Sequence, residues 1–170
     1  MRQIESPTLT GDYLELRVLP ETDLPQLLKV YQGTPLYFDG LGDRADRLTL
    51  ADVRAQWQAA HDAPDRVLLG VYHPVTGLLI GAADVQVGIP RPEAATVWLL
   101  IWGGFQRQGY GQECMALLES WLIPGMVTTL CAIATNNDEG ISFLELQGFR
   151  RTDQPADPPI GRGSAFWMCW

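Results

Sequence analysis

In FQRQGYGQECMALLESWL, which begins at Phe105, Gly109 and Gly111 stand two apart at the head of a segment with helical periodicity. A helix start exposes backbone N–H groups that have no partner within the helix, and it carries the positive end of the helix dipole. Glycine there lets an anion reach the backbone without meeting a Cβ. The chemistry these residues suit is the gripping of a phosphate or pyrophosphate by the main-chain amides from Gln106 to Gly111. A plainer role is open to the same residues, because a glycine turn also lets a helix pack closely on the strand before it. Two familiar phosphate motifs are excluded. The chain contains no GxxxxGK[ST], and Gly109-Tyr110-Gly111 is followed by Gln112, Glu113 and Cys114, so there is no GxGxxG.

Other reactive residue types are sparse. Asp84 and Gln86 lie two apart in LLIGAADVQVG, so on a strand they share a face, and Asp84 is the candidate general base. His61 falls at a helix end and His73 beside Pro74 in a turn, and neither suits catalysis. Cys114, Cys131 and Cys169 form no CxxC and no Cys/His ligand spacing, so neither a metal site nor a disulfide framework is expected. Of the six tryptophans, Trp98 and Trp102 alternate with Leu99 and Ile101 and suit one wall of a cleft, with core packing as the default for the rest.

The elements that position these residues follow from periodicity. Tyr13 to Leu19 alternates as a strand. Thr22 or Asp23 then caps a helix with Pro25 in its first turn and Leu24, Leu27, Leu28 and Tyr31 on one face, ended by Gly33. The segment from Thr34 to Leu48 reads as a loop, and Thr49 with Asp52 as the capping box of a second helix. Strands over 66–72, 78–88 and 95–102, joined by short turns, predict an antiparallel meander. A helix from Gly109 to Leu122 follows, with Met115, Leu118, Trp121 and Leu122 buried and Pro124-Gly125 as its stop. A buried strand over 129–135 must then run parallel to the strand before that helix. A short helix closed by Gly148 and two last strands, FRRTDQ and SAFWMCW, complete the chain.

Composition bounds the reading. The 170 residues suit a single domain spanning 1–170, and a 46% hydrophobic fraction is ample for a core. A net charge of -8 opposes nucleic-acid binding and favours a cationic small molecule or basic peptide. The start of the chain lacks the apolar stretch of a signal peptide, and no apolar run approaches the ~20 residues that span a bilayer. A reduced, cytoplasmic protein without membrane contact is expected.

Two segments within this order of elements resemble the GNAT superfamily, the GCN5-related N-acetyltransferases, and especially its ribosomal-protein-acetyltransferase-like members. LLIWGGFQRQGYG resembles the family's strand and its Q/R-x-x-G-x-G/A acyl-CoA signature, with Gln106, Gly109 and Gly111 at the defining positions. NDEGISFLELQGF resembles the downstream Asn and short helix ending in Gly-Phe, here Asn137, Gly148 and Phe149. LRVLPETDLPQLL is similar to the family's opening strand and helix. The resemblance implies an α/β (α+β) fold: a mixed, mostly antiparallel central sheet of about seven strands flanked by about four helices. It implies acetyl-CoA as cosubstrate and no metal. Gln106, Arg107, Gln108, Gly109, Tyr110 and Gly111 would hold the CoA pyrophosphate, and the backbones of Leu99 and Ile101 would pair with pantetheine where two strands splay apart. Asn137 would bond the pantetheine arm, although an N-cap role is equally open to it. A small-molecule or peptide amine would be the acceptor, shaped by the loop from Thr34 to Leu48, and a homodimer fits the family.

The sequence departs from that pattern in two places. Where relatives often carry a Tyr that protonates the departing thiolate, this chain has Leu144, and Ser142 nearby reads as a solvent-facing residue. A strand Glu that serves many relatives as base is also missing, which leaves Asp84. A non-catalytic acyl-CoA-binding module is therefore the alternative to an N-acyltransferase, with a nucleotide or phosphate binder as a third reading.

Overall fold

The computed structural model describes residues 4–124 and 127–170. In chain order come β1 (Thr8–Thr10), β2 (Glu15–Val18), α1 (Leu24–Gln32), α2 (Pro35–Gly40), α3 (Leu50–Asp62), β3 (Arg66–Tyr72), β4 (Leu79–Val87), β5 (Ala94–Ile101), α4 (Tyr110–Leu122), β6 (Thr129–Ala134), α5 (Asp138–Leu146), β7 (Arg150–Ala156) and β8 (Ala165–Cys169). The strands form an eight-stranded sheet in the order β1-β2-β3-β4-β5-β6-β8-β7. Every neighbouring pair is antiparallel except β5 with β6. A parallel pair needs a crossover, and α4 supplies it.

The sheet has one strand more, and the chain one α-helix more, than the sequence predicts. β1 has 3 residues, too few to show a period. α2 falls inside the segment read as a loop. Pro35 pre-sets its first turn, and burial of Tyr37 and Phe38 holds a helix too short to stand alone. Both faces of the sheet are covered. Val97 and Ile101 of β5 join the core beneath α4, while Trp98 and Leu100 join the core beneath α1 to α3. That is why β5 reads as a continuous apolar run.

The helix ends show which local signals operate. Thr49 and Asp52 form the expected capping box on α3: the Thr49 hydroxyl accepts from the Asp52 amide, and the Asp52 carboxylate accepts from the Thr49 amide at 2.8 Å. Asp23 precedes α1 but makes no side-chain cap bond; its carboxylate instead accepts the Tyr72 hydroxyl at 2.6 Å. Met115, Leu118 and Leu122 of α4 are buried as expected and Trp121 is half-buried, while Gly125 lies outside the described residues.

The cysteines require a correction. Cys131 and Cys169 are direct partners in the β6–β8 register and are joined as a disulfide, with Cα atoms 4.2 Å apart. No ligand or bridge spacing announced it because the pair is 38 residues apart and meets only through strand pairing. Cys114 is free and buried on α4.

The feature that positions the site is where β5 and β6 part. Their pairing runs from Ala94 opposite Thr129 to Val97 opposite Ala132 and stops there. β5 continues to Ile101, so its last residues face a gap.

Candidate active site

In an antiparallel ladder the N–H and C=O of one residue point the same way, and consecutive residues alternate. The Trp102 amide donates to the Ile80 carbonyl on the β4 side at 2.8 Å. By alternation Leu99 and Ile101 turn their backbone groups away from β4, into the gap beyond the last β6 pair. Gln106 Nε2 donates to the Ile101 carbonyl at 2.8 Å. Leu99 therefore offers both backbone groups to the gap and Ile101 its N–H, as a strand edge inside the molecule.

The gap is a narrow slot of about 70 Å³ whose walls include Leu99, Met115, Ala134, Thr135, Asn137 and Leu144. Thr135 is 3% exposed, and its Oγ1 has no hydrogen-bond partner. A buried hydroxyl left unpaired costs about 1–3 kcal/mol; the close neighbour of this one is Gly40 of α2, where a Cβ would stand 2.7 Å from Oγ1. Sequence reasoning missed Thr135; the one signal was a hydroxyl closing the apolar run TLCAIAT. Asn137 is the N-cap of α5, with Oδ1 accepting from the Glu139 amide at 3.1 Å. The cap uses only the oxygen, so the amide nitrogen of this slot-lining side chain is still available to donate.

The slot leads to the turn before α4. Arg107 has φ 61° and Gly109 φ 88°, left-handed values on either side of Gln108. Alternating handedness gathers successive N–H groups into an anion-binding concavity. The first amide of this region with a helical acceptor is Glu113, which donates to Gly109. The amides from Arg107 to Gln112 find no carbonyl among the described residues. A Cβ placed on Gly109 would meet nothing within 4 Å, so the space above it is open. Gly111 differs: a Cβ there would stand 3.1 Å from the Phe143 ring, so its smallness serves the packing of α4 on α5. The side chains of the turn hold its shape. Gln106 ties it to β5, Gln108 Nε2 donates to the Gly104 carbonyl at 3.1 Å, and Arg107 pairs with Glu139 at 2.7 Å. Tyr110 packs edge-on against Phe105 at 6.0 Å.

On the opposite face of the sheet a second cavity, of about 290 Å³, is lined by Arg66, Asp84, Gln86, Thr96, Trp98 and Asp157 among others. Ile133 borders both this cavity and the slot. Asp84 is 4% exposed and heavily engaged. Arg66 donates to it through Nε at 2.8 Å and through a terminal nitrogen at 2.7 Å, and Gln56 Nε2 donates at 3.0 Å. Gln56 Oε1 in turn accepts the Tyr31 hydroxyl at 2.7 Å. The carboxylate holds the guanidinium's pKa above its ordinary value, chiefly through the hydrogen bond between them. Asp84 and Gln86 thus share a cavity wall, as their spacing required, while Asp84's partners come from α3 and β3. Tyr37, on α2, borders the slot, and its hydroxyl accepts a hydrogen bond from Trp98 Nε1. Ser142 is exposed and lies outside both cavities.

A mostly antiparallel sheet parted beside a turn of open amides is the architecture of the acetyltransferase fold. The chain has the fold of the GNAT acetyltransferases. It superimposes on an acetyltransferase from Thermus thermophilus with a TM-score of 0.78 and 26% identity, over 93% of this chain and 96% of that one. It matches a Salmonella typhimurium acetyl transferase that modifies the N-terminal serine of ribosomal protein L7/L12 at TM-score 0.75 and 14% identity, over 96% and 98% of the two chains. It also matches the aminoglycoside acetyltransferase AAC(6')-Ib in complex with coenzyme A at TM-score 0.69 and 22% identity, over 92% and 94%. By sequence alone, no family model and no curated protein matches the chain.

Proposed function

We propose that the chain is an acyl-CoA-dependent N-acyltransferase that moves an acetyl group from acetyl-CoA to a primary amine. The observation that carries this reading is the continuity of the open amide turn at Gly109 with the free edge of β5 and the slot beside it. The residues present fit CoA: unpaired amides and an open Gly109 suit a pyrophosphate, and the orphan Thr135 hydroxyl suits a pantetheine amide. When bound, acetyl-CoA supplies an activated thioester carbonyl. The amides from Arg107 to Gly111 hold the phosphates. Leu99 and Ile101 pair with the arm as an added strand would, Thr135 and Asn137 close on it from β6 and α5, and a β5 amide stabilises the developing oxyanion.

The acceptor is a small-molecule or peptide amine entering the cavity on the other face. Arg66 offsets the charge of Asp84 in that cavity, so Asp157 and the Gln86 amide oxygen favour a cation there, and the net charge of -8 steers one in. Three of the lone-pair sites of Asp84 accept from Arg66 and Gln56, and the one that remains receives the amine's proton through a bridging water. We place the reaction in the cytoplasm. Leu144 favours the second reading, a CoA-binding module without turnover.

Calorimetry with acetyl-CoA and with desulfo-CoA, followed by thiol release against spermidine, an aminoglycoside and a serine-initiated peptide, tests both readings. Binding with turnover of any amine supports the enzyme. Binding without turnover of all three supports the module, and no heat of binding refutes both.

A further inference from the structure

Leu144 lines the slot where relatives bring a phenol, and it has no proton to give. Another wall of the same slot has one. Tyr37 is 7% exposed and borders the slot from α2. Its ring is fixed edge-on between Phe38 at 5.1 Å and Trp98 at 5.3 Å. Its hydroxyl accepts from Trp98 Nε1, and an indole nitrogen only donates, so the hydroxyl's own hydrogen is not used in that contact. No acceptor among the described residues takes it. Trp98 also lines the cavity on the far face, beside Asp84. Trp98 thus links the Tyr37 hydroxyl of the slot-lining ring to the wall of the acceptor cavity, and it orients that hydroxyl while leaving its proton free.

We propose that Tyr37 is the general acid of the transfer, taking the part that Leu144 cannot. The assignment rests on the acyl-transfer reading above. The amine nitrogen bonds to the acetyl carbon, the carbon–sulfur bond breaks, and its electron pair goes to sulfur. Sulfur takes the proton of the Tyr37 hydroxyl. The ammonium has first given one proton to Asp84 through the bridging water; after the neutral nitrogen attacks, the phenolate regains its proton from that nitrogen, so ammonium and thioester yield amide and thiol with one proton left on Asp84 to pass to solvent. Burial pushes the phenol's pKa well above its ordinary value, so the hydroxyl is protonated at every working pH, and the same dry surroundings raise the proton affinity of the leaving thiolate.

The test is Tyr37→Phe, which keeps the ring and removes the proton. Turnover is followed by thiol release with the fastest amine of the three above, and acetyl-CoA affinity by calorimetry. The expected result is a fall in kcat of about 100-fold, with acetyl-CoA affinity within about threefold of wild type. A folded variant that binds acetyl-CoA and keeps kcat within threefold overturns the proposal. Because Phe leaves the Trp98 N–H without a partner, 3-fluorotyrosine at position 37 gives a second readout: it preserves shape and bond while acidifying the phenol. A changed kcat with unchanged affinity supports the acid, and unchanged kcat overturns it. If wild-type protein turns over no amine, it is the acyl-transfer reading that has failed, and Tyr37 loses its role with it.

Discussion

Asp84→Asn tests whether the floor of the acceptor cavity is built on a charge pair. Asn has nearly the same shape, but it carries no charge and turns an NH2 group toward the donors of Arg66. The guanidinium, with its side chain 16% exposed, then loses both short hydrogen bonds and its counter-charge. Breaking a buried pair by removing one partner costs about 3–5 kcal/mol. Arg66 keeps some contact with water, so the lower end, about 3 kcal/mol, is expected. At about 2–4 °C per kcal/mol for a chain of this size, Tm falls by about 6–12 °C. Urea unfolding of Asp84→Asn, Arg66→Gln and the double variant measures it. The double variant removes both charges, so the single losses should fail to add, with a coupling of about 2 kcal/mol or more. If Asp84→Asn loses under about 1 kcal/mol and the variants add, the pair is screened as surface pairs are, and the cavity floor does not rest on it.

The remaining predictions concern the cosubstrate side and a helix cap. Gly109→Glu should weaken CoA binding by about 100-fold or more while the fold survives, since nothing crowds that position; Gly109→Ala carries the same left-handed strain of about 1–2 kcal/mol without the charge, and equal CoA affinity in the two variants would contradict the cradle. Thr135→Val removes a buried hydroxyl with no partner, so chemical denaturation should find the apo protein as stable as wild type or more so, while calorimetry finds weaker CoA binding. A loss of stability without loss of affinity would show that Thr135 serves the fold alone. The Thr49 hydroxyl and amide hold the Asp52 carboxyl below its usual range. A depressed carboxyl stabilises the fold above its unfolded pKa, near ~3.9, and loses that contribution as pH falls through the folded value. Asp52→Ala should therefore cost about 0.5–1 kcal/mol at pH 7, the low end for an exposed cap, and the two proteins should converge below about pH 3. A gap that persists unchanged at pH 2.5 would refute the electrostatic part.

What the sequence made legible is what the chemistry demands of neighbouring residues. An open turn ahead of a helix needs glycine and free amides close together, so the left-handed turn at Gly109 could be read directly, as could the Thr49–Asp52 box and the crossover that makes β6 parallel to β5. The features that escaped are those made by register. Tyr37 meets Trp98 from 61 residues away, Gln56 meets Asp84 from 28, and Cys131 meets Cys169 from 38. None of these distances has a period, and each is set by how the sheet carries α2, α3 and β8 to β4, β5 and β6. The same division runs through the glycine pair. Gly109 answers to the local demand, a left-handed turn open to a ligand, while Gly111 answers to Phe143 on a later helix. The two readings of that turn are therefore compatible, because the packing falls on Gly111 and leaves Gly109 open. The same holds for the groups around the slot: the α5 residues on its wall, Gly140, Phe143 and Leu144, carry no acidic proton, and it is α2, a helix the sequence pattern hides, that brings a phenol, Tyr37, to another wall.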